Sequence, residues 1–313
     1  MTDDVDVLGP GWTARTLPLR PDGGTPDPVA TLVHREGTDS RRALLYVHGF
    51  VDYFFHTQFA DALGAHGYDV YALDLRDYGR SIRDGRPPNY VTDLGRFAEE
   101  LDAAIRVIRA EHDEVVLLGH SMGGLVTSLW ADARRGEHLV DALVLNAPWL
   151  DLRGNWFERT ILTAMIDGIG RVAPRVVVGK VGPHYGRALH EGTGGEWGYD
   201  LAWKPLDGFP ARAGFARSIR RGHARVAKGL AIDVPVLVLA SDASGPDDAW
   251  HDGLLTTDSV LDVADIKRLA PNLGPDVTFV EIPGGAHDLA LSPAPARDTY
   301  VAEILAFLDA RLS

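Results

Sequence analysis

The sequence predicts an α/β fold, a mostly parallel eight-stranded sheet flanked by helices, with a helical cap inserted late in the chain. Three observations predict it. Short apolar runs alternate with longer segments of helical period. The central runs are apolar almost throughout, as strands buried on both faces are. The rhythm stops between Pro148 and Ile232 and then resumes.

The elements follow in order. Thr13–Leu19 and Val29–His34 read as an antiparallel opening pair across the Pro/Gly/Asp-rich turn Arg20–Pro28. Ala43–Val47 is a buried strand, and Phe55, Phe59, Ala62 and Leu63 give a helical stripe after it. Val70–Leu75 is the next strand, and Leu94, Phe97, Leu101, Ile105 and Ile108 mark a long amphipathic helix. Val115–Leu118 and Ala142–Leu145 are two more buried strands. In the interruption, Phe157, Ile161, Met165 and Ile169 predict one helix, and Phe215, Ile219, Val226 and Leu230 another. The sheet resumes with Val234–Ala240 and Val277–Ile282, and a helix carrying Tyr300, Ile304, Phe307 and Leu308 closes the chain. The expected division is a core over 1–147, a cap over 148–231 and the rest of the core over 232–313. A cap placed there would lie above the carboxyl ends of the strands, where α/β sites form.

Composition narrows the function. At 313 residues and 45% hydrophobic, the chain can bury a large core without metal or disulfide staples. It has no cysteine, which excludes disulfides, zinc–thiolate sites and a thiol nucleophile. The net charge of −13, from 31 Lys+Arg against 44 Asp+Glu, disfavours nucleic acid and anionic membranes as partners. The acidic start Met-Thr-Asp-Asp-Val-Asp does not read as a signal peptide. No run of about 18 apolar residues suggests membrane insertion, so a cytoplasmic protein is expected. No metal-ligand spacing and no phosphate-cradling loop stands out, so neither metal nor cofactor is expected.

The chemistry gathers at Gly119-His120-Ser121-Met122-Gly123. G-x-S-x-G by itself is a weak pattern. Here an apolar strand precedes it and a helix opens after it, the setting of a nucleophile elbow. A serine at the tip of so sharp a turn needs small residues beside it, and the helix behind it offers free N–H groups to a developing anion. A serine hydroxyl also needs a base, and the base an orienting acid, which in such folds follow in the order Ser, Asp or Glu, His. His287, in Gly284-Gly285-Ala286-His287-Asp288 after the last strand, fits the base. His120 lies inside the elbow with its side chain expected to point away, and His48 precedes the loop after the strand ending at Val47. The acid must follow Val234–Ala240, and Asp242, Asp247, Asp248, Asp252 and Asp258 are all in range. The oxyanion hole is expected from the backbone N–H groups of Phe50 and Met122.

These residues resemble the monoacylglycerol lipase/lysophospholipase-like α/β-hydrolases, a group also labelled serine aminopeptidase-like, over nearly the whole chain. Tyr46-Val47-His48-Gly49-Phe50 resembles the family's oxyanion loop, and Asp74 through Ser81 its D-x-R-G-x-G-x-S loop, with Asp77 where glycine is usual. Asp258 through Asp262 resembles its D-x-V-V-D segment, which implies Asp258 as the acid. The longer Ser241–Thr257 loop keeps Asp242 as the alternative.

The resemblance implies an α/β-hydrolase fold and a serine hydrolase that cleaves small or lipid-like carboxylic esters through an acyl-enzyme on Ser121. The alternatives are an amide or peptide hydrolase and a hydrolase-fold receptor with little turnover. Tyr53, Phe54, Trp156 and His223 are the candidate substrate-pocket residues. Arg212, Arg217, Arg220, Arg221, Arg225 and Lys228 form a basic stretch without an acidic residue between Asp207 and Asp233, which could attract anionic esters.

Overall fold

Apolar residues at alternate positions send side chains to both faces of a strand, so a strand that is apolar throughout must be covered twice. The computed structural model shows that arrangement. It describes residues 3–35, 40–154 and 156–312, apart from the side chains at 3 and 156–158. In chain order the core elements are β1 (Asp3–Val5), β2 (Trp12–Pro18), β3 (Val29–Arg35), β4 (Arg42–Val47), α1 (Thr57–Gly64), β5 (Tyr68–Asp74), α2 (Phe97–Arg109), β6 (Glu114–His120), α3 (Met122–Ala133) and β7 (Ala142–Asn146). An insertion follows, with α4 (Trp156–Val172), β8 (Val177–Lys180), α5 (Pro183–Leu189), β9 (Pro210–Arg212) and α6 (Ala213–Lys228). The core resumes with β10 (Val236–Ser241), α7 (Val263–Leu269), β11 (Val277–Ile282) and α8 (Ala294–Leu312).

Among the described residues the main sheet has nine strands, in the order β1-β2-β3-β5-β4-β6-β7-β10-β11. This corrects the expected eight: a three-residue strand, too short to carry a period, adds β1 antiparallel to β2. From β5 to β11 the pairing is parallel. Leu45, Val47, Leu117 and Val238 face one core with α2 and α3. Leu44, Tyr46, Leu118 and Leu237 face the other with α1 and α8. Among the described residues no helix is long and apolar enough to cross a membrane.

The insertion departs from expectation in two ways. It is not wholly helical, because β8 and β9 form a two-stranded antiparallel ladder. The face of α4 is also different. Ile161 and Met165 were expected inward but are 45% and 56% exposed, while Ile166 is buried. The reason is the close approach of α4 to α6 at Gly170. A Cβ there would lie 2.7 Å from the Ala213 carbonyl oxygen and 2.8 Å from Arg217 Cβ. A bare backbone, rather than the apolar stripe, decides which side of α4 meets α6. The helix predicted from Phe55 begins at Thr57.

Candidate active site

The elbow forms because β6 ends at His120 and α3 starts at Met122, leaving one residue to reverse the chain. That residue, Ser121, has φ +53° and ψ −115°, a backbone region that non-glycine residues avoid. The glycines beside it are needed for room. A Cβ on Gly123 would run into the carbonyl oxygens of Val47 and His48, and one on Gly119 would meet Gly123 itself. The turn is tied at both ends: Ser121 N–H donates to Asn146 O at 3.0 Å, and Trp149 N–H donates to Ser121 O at 2.9 Å.

His287 Nε2 lies 3.1 Å from Ser121 Oγ, and its Nδ1 lies 3.0 Å from Asp258 Oδ2. A carboxylate accepts only, so Nδ1 carries the proton and Nε2 is left to accept from the serine hydroxyl. All three residues are buried. Burial raises the Asp258 pKa, but His287 and the N–H groups of Leu261 and Val260 outweigh it, so the net shift is downward. Those two N–H groups donate to Asp258 Oδ1 at 2.7 and 2.9 Å. A hydroxyl, imidazole and carboxylate in this relay can move a proton off the serine as it attacks an electrophile.

The structure brings Asp258 to His287 and leaves Asp242 elsewhere: Asp242 accepts from Gly284 N–H at 3.0 Å and braces the turn ahead of the histidine. The long loop closes at its own base. Asp258 N–H donates to Ala243 O at 2.8 Å, and Gly245 N–H donates to Asp258 O at 2.9 Å. Asp258 therefore sits beside the end of β10 despite its distance along the chain.

The turn after β4 runs against the elbow, and a Cβ on Gly49 would lie 3.2 Å from Ser121 Cβ. His48 holds this turn from below: Nδ1–H donates to Gly49 O at 2.7 Å, and Nε2 accepts from Leu75 N–H at 3.1 Å. Among the described residues, neither Phe50 N–H nor Met122 N–H donates to a protein acceptor. Where the resemblance expects glycine, Asp77 has φ +62°, so the left-handed conformation is kept without the glycine.

The pocket candidates separate. Residues 53–55 lie outside any regular element, and their side chains part to two different clusters. Tyr53 and Phe55 join a cluster with Leu189 and Tyr199 of the insertion, and Tyr53 Oη accepts from Asp200 N–H at 2.7 Å. Phe54 points the other way, into the core with Trp12 and Tyr46, which corrects its expected place in a pocket. His223 is likewise a core residue: Nε2–H donates to Trp149 O at 3.0 Å and Nδ1 accepts from Arg220 at 2.9 Å. Burial, with Arg220 beside it, pushes its pKa down to about 3. The Trp156 side chain lies outside the described residues. Half of the basic stretch is paired with carboxylates, with Arg217 on Asp167, Arg220 on Asp151 and Arg225 on Asp132.

Sequence reasoning missed the polar floor under the elbow. Asp288 accepts from His56 Nε2 at 2.9 Å, Asn146 Nδ2 at 2.8 Å and Ala290 N–H at 3.1 Å. His120 Nδ1–H donates to Asn146 O at 3.2 Å, and burial pushes its pKa down to about 4 against the pull of Asp288. Tyr185, from α5, places its ring edge-on to His287 at 5.9 Å, and its Oη accepts from Asp288 N–H at 2.9 Å. Asp52, His120 and Asp288 bring ligand atoms within 4.8 Å of one another, a spacing that could admit a cation. Lys204 already pairs with Asp52 there, and His56 with Asp288. The available signal was adjacency: Asp52 is two residues from Phe50, and Asp288 is next to His287.

Comparison with known proteins bears on the family and the fold. The family described as serine aminopeptidase, S33, matches residues 38–293. A monoacylglycerol lipase from Mycolicibacterium smegmatis is 30% identical over 146 residues, 45% of this chain and 49% of that protein. The chain thus spans about half the length of that curated relative. The structure of a monoacylglycerol lipase from Paleococcus ferrophilus superposes with a TM-score of 0.66 at 20% identity, covering 88% of this chain and 96% of that one. A soluble variant of monoglyceride lipase from Saccharomyces cerevisiae, in complex with a substrate analog, superposes with a TM-score of 0.69 at 16% identity, covering 95% and 96%. At these identities the two structures establish the likeness of fold.

Proposed function

The chain belongs to the serine aminopeptidase S33 family, and from that premise we propose that it is a serine hydrolase cleaving small or lipid-like carboxylic esters, with residues 148–231 as its cap. The observation that carries the reading is the Ser121–His287–Asp258 relay on a strained elbow. Ser121 Oγ attacks the ester carbonyl carbon while His287 Nε2 takes its proton. Asp258 holds the imidazole by its Nδ1–H and offsets the charge that forms on the ring. The carbonyl oxygen becomes an anion, which accepts hydrogen bonds donated by the N–H groups of Phe50 and Met122. Collapse expels the alcohol, which leaves with the proton from Nε2–H. Water then repeats the sequence on the acyl-Ser121 ester, releasing the acid and restoring the hydroxyl.

Ester cleavage is favoured over removal of an N-terminal residue. An aminopeptidase subsite needs a carboxylate free to receive an α-ammonium group. Those around Ser121 are engaged: Asp258 with His287, Asp288 with His56 and Asn146, Asp52 with Lys204.

The test is turnover on p-nitrophenyl esters of graded acyl length beside aminoacyl anilides. Esters are expected to turn over and anilides not, and Ser121→Ala is expected to lower kcat by about 10³-fold or more in a folded protein. Anilide cleavage without ester cleavage would replace this reading. Near-normal ester turnover by Ser121→Ala would remove it.

A further inference from the structure

One charged side chain of the cap reaches into the floor of the site. Lys204 Nζ donates to Asp52 Oδ1 at 2.5 Å, with side-chain exposures of 14% and 4%. The same ammonium stands 5.0 Å from the centre of the Phe55 ring and 5.3 Å from that of Tyr199. One ring belongs to the core and one to the cap, and both faces favour a cation. The other oxygen of Asp52 accepts from Gly49 N–H at 3.4 Å, at the turn where a Cβ would nearly touch that of Ser121.

We propose that Lys204 is a positioning residue that, by pairing with Asp52 from the cap, fixes the Gly49–Phe50 turn against Ser121. This rests on the ester-hydrolase reading above. Two buried carboxylates, Asp52 and Asp288, lie close together, with His120 beside them. Asp288 has three donors of its own. Beside Lys204, the donor to Asp52 among the described residues is Gly49 N–H, over a long 3.4 Å bond. Without the ammonium, a buried carboxylate would be left with one weak hydrogen bond, which is strongly unfavourable. The turn would then shift to admit water, carrying the Phe50 N–H away from the point where the oxyanion forms. The consequence is a coupling: the anion-binding turn is set when the cap is seated, because the cap brings the counter-ion.

The experiment compares Lys204→Met, Lys204→Arg, Asp52→Asn and the Lys204→Met/Asp52→Asn pair on p-nitrophenyl acetate, whose acyl group is too small to sample the cap, with Ser121→Ala alongside. Loss of positioning acts on the transition state more than on binding. Lys204→Met is therefore expected to lower kcat about tenfold with KM within about twofold, less than deletion of an oxyanion donor itself. Lys204→Arg should restore most of the loss. The pair should lose no more than Lys204→Met alone, since an amide needs no counter-ion. Unchanged kcat in folded Lys204→Met overturns the proposal, as do losses that add in the pair. Should Lys204→Met fail to fold, Asp52→Asn decides alone, and an unchanged kcat there is equally fatal. Retained turnover in Ser121→Ala would instead overturn the ester-hydrolase reading, whatever Lys204 does.

Discussion

In the loops that carry Ser121, Asp258 and His287, polar side chains are buried and paired. In α4 of the insertion, apolar side chains are exposed, with Met165 at 56% and Val172 at 84%. Each region reverses the usual placement. The floor of the site accepts the desolvation of several ionisable groups and answers it with hydrogen bonds, which holds each group in one geometry. The insertion leaves apolar area in water and is held through α6 and a few anchors such as Lys204 and Tyr185. Fixed geometry is what acyl transfer requires. A segment proposed to admit substrates does not require it.

The largest expected effect tests whether the floor is as specific as its hydrogen bonds imply. Of the aspartates near His287, Asp258 is bonded to the ring and Asp242 to the backbone of its loop. Asp258→Asn should lower kcat by about 10²–10⁴-fold, because an amide can hold the wrong tautomer of the histidine. Asp242→Asn removes one acceptor from Gly284 N–H and should change kcat far less. A reversed ranking, measured on the best ester, would mean that the floor is arranged differently in solution.

The same contrast explains what could be read from the sequence. The parallel strands were legible because apolar runs such as Val115–Leu118 and Ala142–Leu145 admit little else. The elbow was legible because Gly119, Ser121 and Gly123 each answer a steric demand. The acid was not settled by spacing, since the loop before Asp258 is long and its closure at Ala243 leaves no periodic trace. Phe54 was misplaced because three adjacent aromatics were read as one surface, whereas the chain sends Tyr53 and Phe55 to one cluster and Phe54 to another. The face of α4 was misread because Gly170, with no hydrophobicity to register, sets the contact. Lys204 was invisible, since a lysine in a segment without periodicity looks like any solvated lysine.

A smaller effect concerns the proton balance of the floor. His120 and His223 are held neutral by burial, with pKa values pushed down to about 4 and about 3 from 6.5. As pH falls from about 6.5 towards 4, the unfolded chain binds protons at both positions and the folded chain does not, so folding stability decreases. Asp258, with its pKa lowered, acts further down: its contribution is present above the ordinary carboxylate range and is lost as pH drops through the folded value. Thermal unfolding followed from pH 7 to 4.5 should therefore show a falling Tm. His120→Gln, which keeps a donor but does not titrate, should flatten the slope by on the order of 3 kcal/mol at most over the whole window. An unchanged slope would mean that His120 is already protonated in the folded state.

The smallest effect belongs to α4 and separates its two faces. Met165 and Ile166 are neighbours in sequence, one exposed and one buried. Removing exposed apolar surface changes the folded and unfolded states almost equally, so Met165→Ser should alter stability by no more than about 0.5 kcal/mol. Truncating a buried side chain loses both its transfer free energy and its packing, so Ile166→Ala should cost about 2 kcal/mol or more. Denaturant unfolding of the two variants gives the comparison directly. The apolar stripe of the sequence predicts the opposite order, because Met165 falls in register with Phe157, Ile161 and Ile169 and Ile166 does not. If Met165→Ser proves the more damaging, α4 is turned with its stripe inward and the contact at Gly170 is not what orients it. If the expected order holds, the close approach of two backbones has overruled hydrophobic periodicity, and the exposed stripe is surface the cap can spare.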